Sequence, residues 1–161
     1  MSVRFRELVG VNLATDRLSI LSYGSAANSG TFFTRNPDVA SGQELYISSN
    51  EADYLLEKDI TTTGPSLANK VLGVVSAEIK IEDPAPVFLL REGAELILEY
   101  YESTGTGVVS AATGVGTDLS VNDSGRVCVK QSSGIGSVKR FELIENLIGG
   151  AGGIRIRKQD T

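Results

Sequence analysis

The stretch Leu119-Ser120-Val121, Asn122-Asp123-Ser124-Gly125, Arg126-Val127-Cys128-Val129-Lys130 decides the fold class. Two short apolar runs flank four residues that all favour tight turns, which is the pattern of a β-hairpin. Successive side chains alternate across a strand, so Val127 and Val129 share one face while Arg126, Cys128 and Lys130 share the other. Cys128 is thereby expected to be a packed or edge residue, not a nucleophile. Asn122-Asp123-Ser124 also matches a glycosylation acceptor, although turn chemistry accounts for the same residues.

Outward from this hairpin, short strands recur at regular intervals with Gly-containing turns between them. They are expected at Lys70 to Ile81, Ala85 to Leu90, Ala94 to Tyr101, Gly107 to Ser110, Asp118 to Val121, Arg126 to Lys130, Val138 to Ile144 and Gly153 to Lys158. That spacing predicts an all-β fold, a small β-barrel or sandwich. In the last strand Ile154 and Ile156 alternate with Arg155 and Arg157, which puts isoleucines inward and arginines outward.

Two segments are ambiguous. Arg91 to Ser103 fits a helix with Glu92, Glu95, Glu99 and Glu102 on one stripe, or a strand with Leu96, Leu98 and Tyr100 facing one way. Gly93 at its entry, Gly105-Thr106-Gly107 at its exit and the β-rich neighbours favour the strand. Arg140 to Ile148 has the same ambiguity.

Before the barrel, residues 1 to 60 hold only short apolar pieces separated by turn-formers such as Asn36-Pro37-Asp38. They are expected to form an extended N-terminal arm with local strands and at most one short helix, Asn50 to Lys58, which opens with a cap and an acidic first turn. Residues 61 to 161 are expected to form the β-barrel domain. Phe5, Phe32, Phe33, Tyr46 and Tyr54 need burial that the arm cannot supply, so either the barrel or a neighbouring subunit must provide it.

Composition narrows the function. The 161 residues include no His, no Trp and one Cys, with 15 Lys and Arg against 20 Asp and Glu for a net charge of −5. Without histidine there is no Ser-His or Cys-His nucleophile pair, and a single cysteine excludes an intrachain disulfide and a multi-thiolate metal site. The acidic balance is the wrong sign for coating nucleic acid, and no strand interleaves aromatics with bases. Charge is unevenly placed: residues 41–102 carry twelve carboxylates against four bases, and residues 126–161 carry seven bases against three acids. An acidic middle and a basic tail suit contacts between copies or with another charged protein surface. No stretch is apolar enough to span a membrane or to serve as a full secretory signal, and the chain reads as untargeted.

Chemical motifs are sparse. Glu95 and Glu99 could serve as a carboxylate pair, but Glu92 and Glu102 beside them point to a solvated acidic face. No stretch has the ligand spacing of a calcium loop. The glycine pairs open no helix and precede no Lys-Ser or Lys-Thr, so they are turns, not phosphate loops. No cofactor is expected and the chain does not read as an enzyme.

The order of strands and turns supplies a resemblance. Val71-Leu72-Gly73-Val74-Val75, Pro86-Val87-Phe88-Leu89, Gly116-Thr117-Asp118-Leu119-Ser120-Val121 with Gly125-Arg126-Val127, and Phe141-Glu142-Leu143-Ile144-Glu145 through Gly149-Gly150 to Ile154-Arg155-Ile156-Arg157 together resemble the small β-barrel decoration, or cement, proteins of tailed-phage heads. The similarity covers residues 66 to 158. It implies a non-enzymatic virion protein on the outer surface of the head, bound to the major capsid protein, often as a homotrimer at capsomer junctions, with no nucleic acid or membrane partner. The long segment before the barrel departs from the pattern. In such a protein Phe5, Phe32 and Phe33 are expected to anchor the arm, and Arg4, Arg6, Arg35, Arg155 and Arg157 to meet acidic shell or sister-subunit surfaces. Another virion position, in the tail, fibre or baseplate, would use the same barrel and arm.

Overall fold

A computed structural model describes residues 9–10, 17–22, 32–35, 45–47, 54–56, 70–75, 84–122 and 125–159. The chain is all-β, as expected. Its strands are β1 Arg17–Ser22, β2 Phe32–Arg35, β3 Leu45–Ile47, β4 Tyr54–Leu56, β5 Lys70–Val75, β6 Pro84–Leu89, β7 Glu95–Leu98, β8 Asp118–Val121, β9 Val127–Val129, β10 Phe141–Asn146 and β11 Ile154–Lys158. A 3-10 turn, Ile135–Ser137, lies between β9 and β10.

The strands form two sheets. One has the order β2-β5-β6-β1-β3-β4 and the other β7-β11-β10-β8-β9. Pairing is antiparallel except between β1 and β3. The hairpin that opened the sequence reading is β8 and β9, with Leu119, Ser120 and Val121 opposite Val129, Cys128 and Val127.

Period-two patterning explains which faces are buried. Leu96 and Leu98 of β7, Leu119 and Val121 of β8, Phe141 and Leu143 of β10, and Ile154 and Ile156 of β11 all point into one core. Phe32 from β2, Val71 and Val74 from β5, and Phe88 from β6 meet them from the other sheet. Each such aliphatic or aromatic side chain contributes about 1.5–3 kcal/mol on burial. A single core shared by two sheets is a sandwich-like arrangement.

The five-stranded sheet curls without closing. After β7, Tyr101 makes one parallel bridge to Val127 of β9, at the opposite edge of the same sheet. The Glu102 amide donates to the Val127 carbonyl at 2.8 Å, and the Val129 amide to the Gly107 carbonyl at 2.8 Å. One bridge is not a ladder, so of the barrel or sandwich expected the barrel is not closed, and the two sheets fit the sandwich.

Three other expectations change. Strands β1 to β4, which fall in the segment expected to be an arm, are members of the six-stranded sheet: β1 lies between β6 and β3, and β2 pairs with β5. The boundary expected near residue 60 is therefore crossed by strand pairing. The helix expected over Asn50 to Lys58 contains instead β4, whose Tyr54, Leu55 and Leu56 pair with Ile47, Tyr46 and Leu45. Nine residues are too few to hold a helix alone, and a neighbouring strand supplies the backbone partners. The strand expected over Gly107 to Ser110 is part of the long connection from β7 to β8.

Both ambiguous segments contain strands. In β10 the register shifts between Leu143 and Glu145, which leaves Ile144 unmatched against β11 and bends the strand. That shift brings Asn146 to the end of β10, where its side chain organises the loops beyond.

Candidate functional site

The residues expected to make contacts scatter across the fold. Phe32 is fully buried in the chain's own core, its ring 4.9 Å from that of Phe141, and its amide donates to the Gly125 carbonyl at 3.0 Å. Of the two burial places expected for it, the following β-domain is the one it uses, and it has no surface left to offer a partner. Phe33 and Arg35 occupy β2 opposite Gly73 and Lys70. Arg4, Phe5 and Arg6 lie outside the described residues.

Arg155 and Arg157 do point away from the core, but into pairs. In β11, Arg155 lies opposite Glu145 of β10 and Arg157 opposite Glu95 of β7. Their nitrogens are 3.8 Å and 3.5 Å from the respective carboxylates. Lys139 and Asp118 make a third pair at 3.0 Å. Exposed pairs of this kind stabilise by about 0–1 kcal/mol, so their main effect is to neutralise the outer face.

The four glutamates of the acidic stripe go to different places. Glu95 pairs with Arg157, Glu92 is exposed, Glu99 is half-buried and Glu102 is buried. The strand ends at Leu98, so Glu95 and Glu99 do not sit on one continuous strand face. Among the described residues no group of three or more His, Cys, Asp and Glu could hold a metal ion.

Glu102 is the centre of a polar latch across the curled sheet. Its carboxylate accepts from the Asn122 side-chain amide at 2.9 Å and from the Thr104 backbone amide at 3.2 Å, and Arg126 Nη1 lies 3.9 Å away. The Arg126 amide donates to Asn122 Oδ1 at 3.0 Å, and Arg126 Nε donates to the Tyr100 hydroxyl at 2.7 Å. Buried carboxylates persist when hydrogen-bonded in this way. Asn122, the acceptor of the glycosylation-like tripeptide, thus has its side chain committed to Glu102 and Arg126. Cys128 is buried, beneath Gly136 of the 3-10 turn, where a Cβ on that glycine would lie 3.4 Å from the thiol sulfur.

What the sequence reading passed over is a charge-free end. Residues 103–117 are fifteen consecutive uncharged residues, and residues 147–153 are seven more. The fold brings residues 110–117 to the 147–153 loop beyond the end of β10, while Thr104 stays at the Glu102 latch and Gly107 beside Val129. Asn146 Nδ2 donates to the carbonyls of Ser110 at 2.9 Å and Thr113 at 2.8 Å, with that of Ala111 at 3.5 Å, while its Oδ1 accepts from the Ile148 amide at 3.0 Å. The loop also runs beside β10, where the Gly116 amide donates to the Leu143 carbonyl and the Leu143 amide to that of Thr117. Val115 is 69% exposed, Val108 37%, and Ala111, Ala112 and Ala151 are exposed too. The available signal was the unbroken absence of charge; Gly and Ser disguised it as a run of turns.

Comparison with protein-family models, with curated proteins and with solved structures finds no match in any of the three. Among the described residues, no helix is long and apolar enough to cross a membrane.

Proposed function

We propose that this protein is a structural component of a tailed-phage particle, a decoration protein that binds the outside of the head and reinforces it. The observation that carries this reading is the charge-free end. Its loops are pinned by Asn146, its exposed side chains are small, and Val108 and Val115 face water while Val109 turns into the core. Uncharged groups are the least costly to desolvate, and small ones let two backbones approach closely, so such a surface suits contact with protein.

Two features support it. The paired arginines of β11 keep the flank of the five-stranded sheet neutral, and residues 66 to 158 carry the decoration-protein resemblance. On a capsid lattice many weak copies gain strength by multivalency, so no single contact need be large.

The test is density-gradient separation of lysate from the source system, probed with an antibody to this protein. Co-migration with DNA-filled particles in many copies is the expected result. A few copies per particle would place the protein in the tail, fibre or baseplate, and a signal only at the top of the gradient would remove it from the virion.

A further inference from the structure

We infer that residues 101–107 are a strap that holds the outer edge of β9 in the place of a neighbouring strand, and so keep that edge from pairing with another extended chain. This role goes beyond the particle reading and does not depend on it. β9 is the last strand of the five-stranded sheet. In its ladder with β8, the Lys130 amide donates to the Asp118 carbonyl and the Asn122 amide to that of Arg126. Antiparallel pairs alternate, so Cys128 exchanges its bonds with Ser120, while the amides and carbonyls of Val127 and Val129 point outward. A short uncharged strand, Val127-Cys128-Val129, with those groups bare would be a template for strand addition.

Three of the four outward groups are taken, by partners that belong to no strand. The Val127 carbonyl accepts from the Glu102 amide at 2.8 Å, and the Val129 amide donates to the Gly107 carbonyl at 2.8 Å. The Val129 carbonyl accepts from the Gln131 side chain at 2.6 Å. The fourth group, the Val127 amide, lies at the bridge to Tyr101. Both ends of the strap are anchored. The Glu102 carboxylate holds Asn122 beside β9, and the Val109 amide donates back to the Glu102 carbonyl at 2.9 Å with the Val109 side chain in the core.

Gly107 makes the close approach possible. Its φ is +78°, and a Cβ there would lie 2.8 Å from Gln131 Nε2 and 2.9 Å from the Val129 carbonyl oxygen. The glutamine end can swing aside, but the backbone oxygen cannot, so a side chain at this position lifts the strap from β9. Gly105 is the internal contrast: its φ is +79°, yet a Cβ there meets nothing within 4 Å. Curvature asks for glycine at both positions, and contact with β9 asks for it only at Gly107. The other edge of the sheet is covered in a similar way, since Val9 and Glu95 of β7 exchange two amide-to-carbonyl bonds at 2.9 Å.

The experiment is amide hydrogen exchange, read residue by residue by NMR, on the full chain as wild type, as Gly105→Ala and as Gly107→Ala, with thioflavin T fluorescence followed in concentrated samples. In the wild type the Val129 amide is expected to be protected and to open together with the Glu102 and Val109 amides, before the Cys128 amide of the ladder. The two substitutions carry the same backbone strain and differ in the contact. Gly107→Ala is expected to speed Val129 exchange about tenfold or more relative to Gly105→Ala, the scale of overfilling a packed contact, with a smaller change at Cys128. It is also expected to raise the thioflavin signal, which Gly105→Ala leaves at the wild-type level.

A wild-type Val129 amide that exchanges like an open chain overturns the inference, as do two glycine variants that exchange alike at Val129. A freed Val129 without a thioflavin signal leaves the strap as a loop and removes its guarding role. The wild type in mild denaturant supplies the same test without a substitution, should Gly107→Ala not fold. There the thioflavin signal is expected to rise where Val129 has opened and Cys128 is still protected; a rise only with global unfolding refutes the guard.

Discussion

The ring of Phe32 packs on the ring of Phe141 with centroids 4.9 Å apart and planes inclined at 57°. Phe32 comes from β2 of the six-stranded sheet and Phe141 from β10 of the other, so this pair joins the two layers. Both side chains are fully buried. Phe32→Ala leaves a cavity at the junction and is expected to destabilise the fold by about 3–5 kcal/mol, read from chemical denaturation. Phe141→Ala should cost a similar amount, and the double variant less than the sum, because the two share one contact.

Deletion of residues 1–40 removes β1, β2 and Phe32 together. An arm lying outside the domain could be cut away without unfolding the remainder. Here β1 is an interior strand between β6 and β3, and its loss exposes the ladders of both neighbours. The truncated chain is expected to lose cooperative unfolding, followed by circular dichroism during heating. A sharp transition would show that the five-stranded sheet folds alone.

Asn146→Ala removes the donor that gathers the Ser110 and Thr113 carbonyls. These groups lie near solvent and can turn to water, so the expected loss of global stability is only about 1–2 kcal/mol. The local effect is larger. Hydrogen exchange in peptides covering residues 103–117 should accelerate well beyond that of the β8 to β9 hairpin. Uniform exchange rates across both regions would deny Asn146 its organising role.

Gly73→Ala is expected to be among the most damaging small substitutions in the chain. Gly73 lies in β5 between Leu89 of β6 and Phe33 of β2. A Cβ there would overlap the Phe88 carbonyl oxygen and lie 2.9 Å from Val87 Cγ1. Backbone cannot yield as a flexible side chain can, so the loss should reach about 3 kcal/mol or more. Thermal melting of the variant beside wild type measures it.

Tyr101 supplies a pH dependence. Burial, and then the nearby Glu99 carboxylate, push its phenol above the ordinary 10.0. At pH values between the ordinary and the raised pKa, the unfolded chain has released this proton while the folded chain still holds it. Stability is therefore intact below the ordinary value and falls as pH rises through the raised one. Tyr101→Phe should flatten this alkaline loss in denaturation series, and Glu99→Gln should bring the phenolate absorbance change to lower pH.

Local patterns made part of this legible in the sequence. Strands β8, β9 and β11 lie within a residue of where apolar alternation and turn chemistry put them, because a period of two and a turn of Asn, Asp, Ser and Gly act over a few residues. The inward isoleucines and outward arginines of β11 were likewise readable, and so was the packed state of Cys128.

The remainder depends on residues far apart in the chain. The Glu102 latch to Asn122 spans 20 positions, the Arg126 bond to Tyr100 spans 26, and the grip of Asn146 on Thr113 spans 33. The entry of β1 to β4 into a sheet with β5 and β6 depends on still longer closures. No local propensity encodes such meetings. They form when the free energy of a shared core outweighs the entropy of closing the loops between them, a balance belonging to the whole chain. For that reason local pattern was enough for an all-β chain with alternating strands, while long-range closure turned Phe32 inward, paired the arginines and brought Ser110 and Thr113 to Asn146.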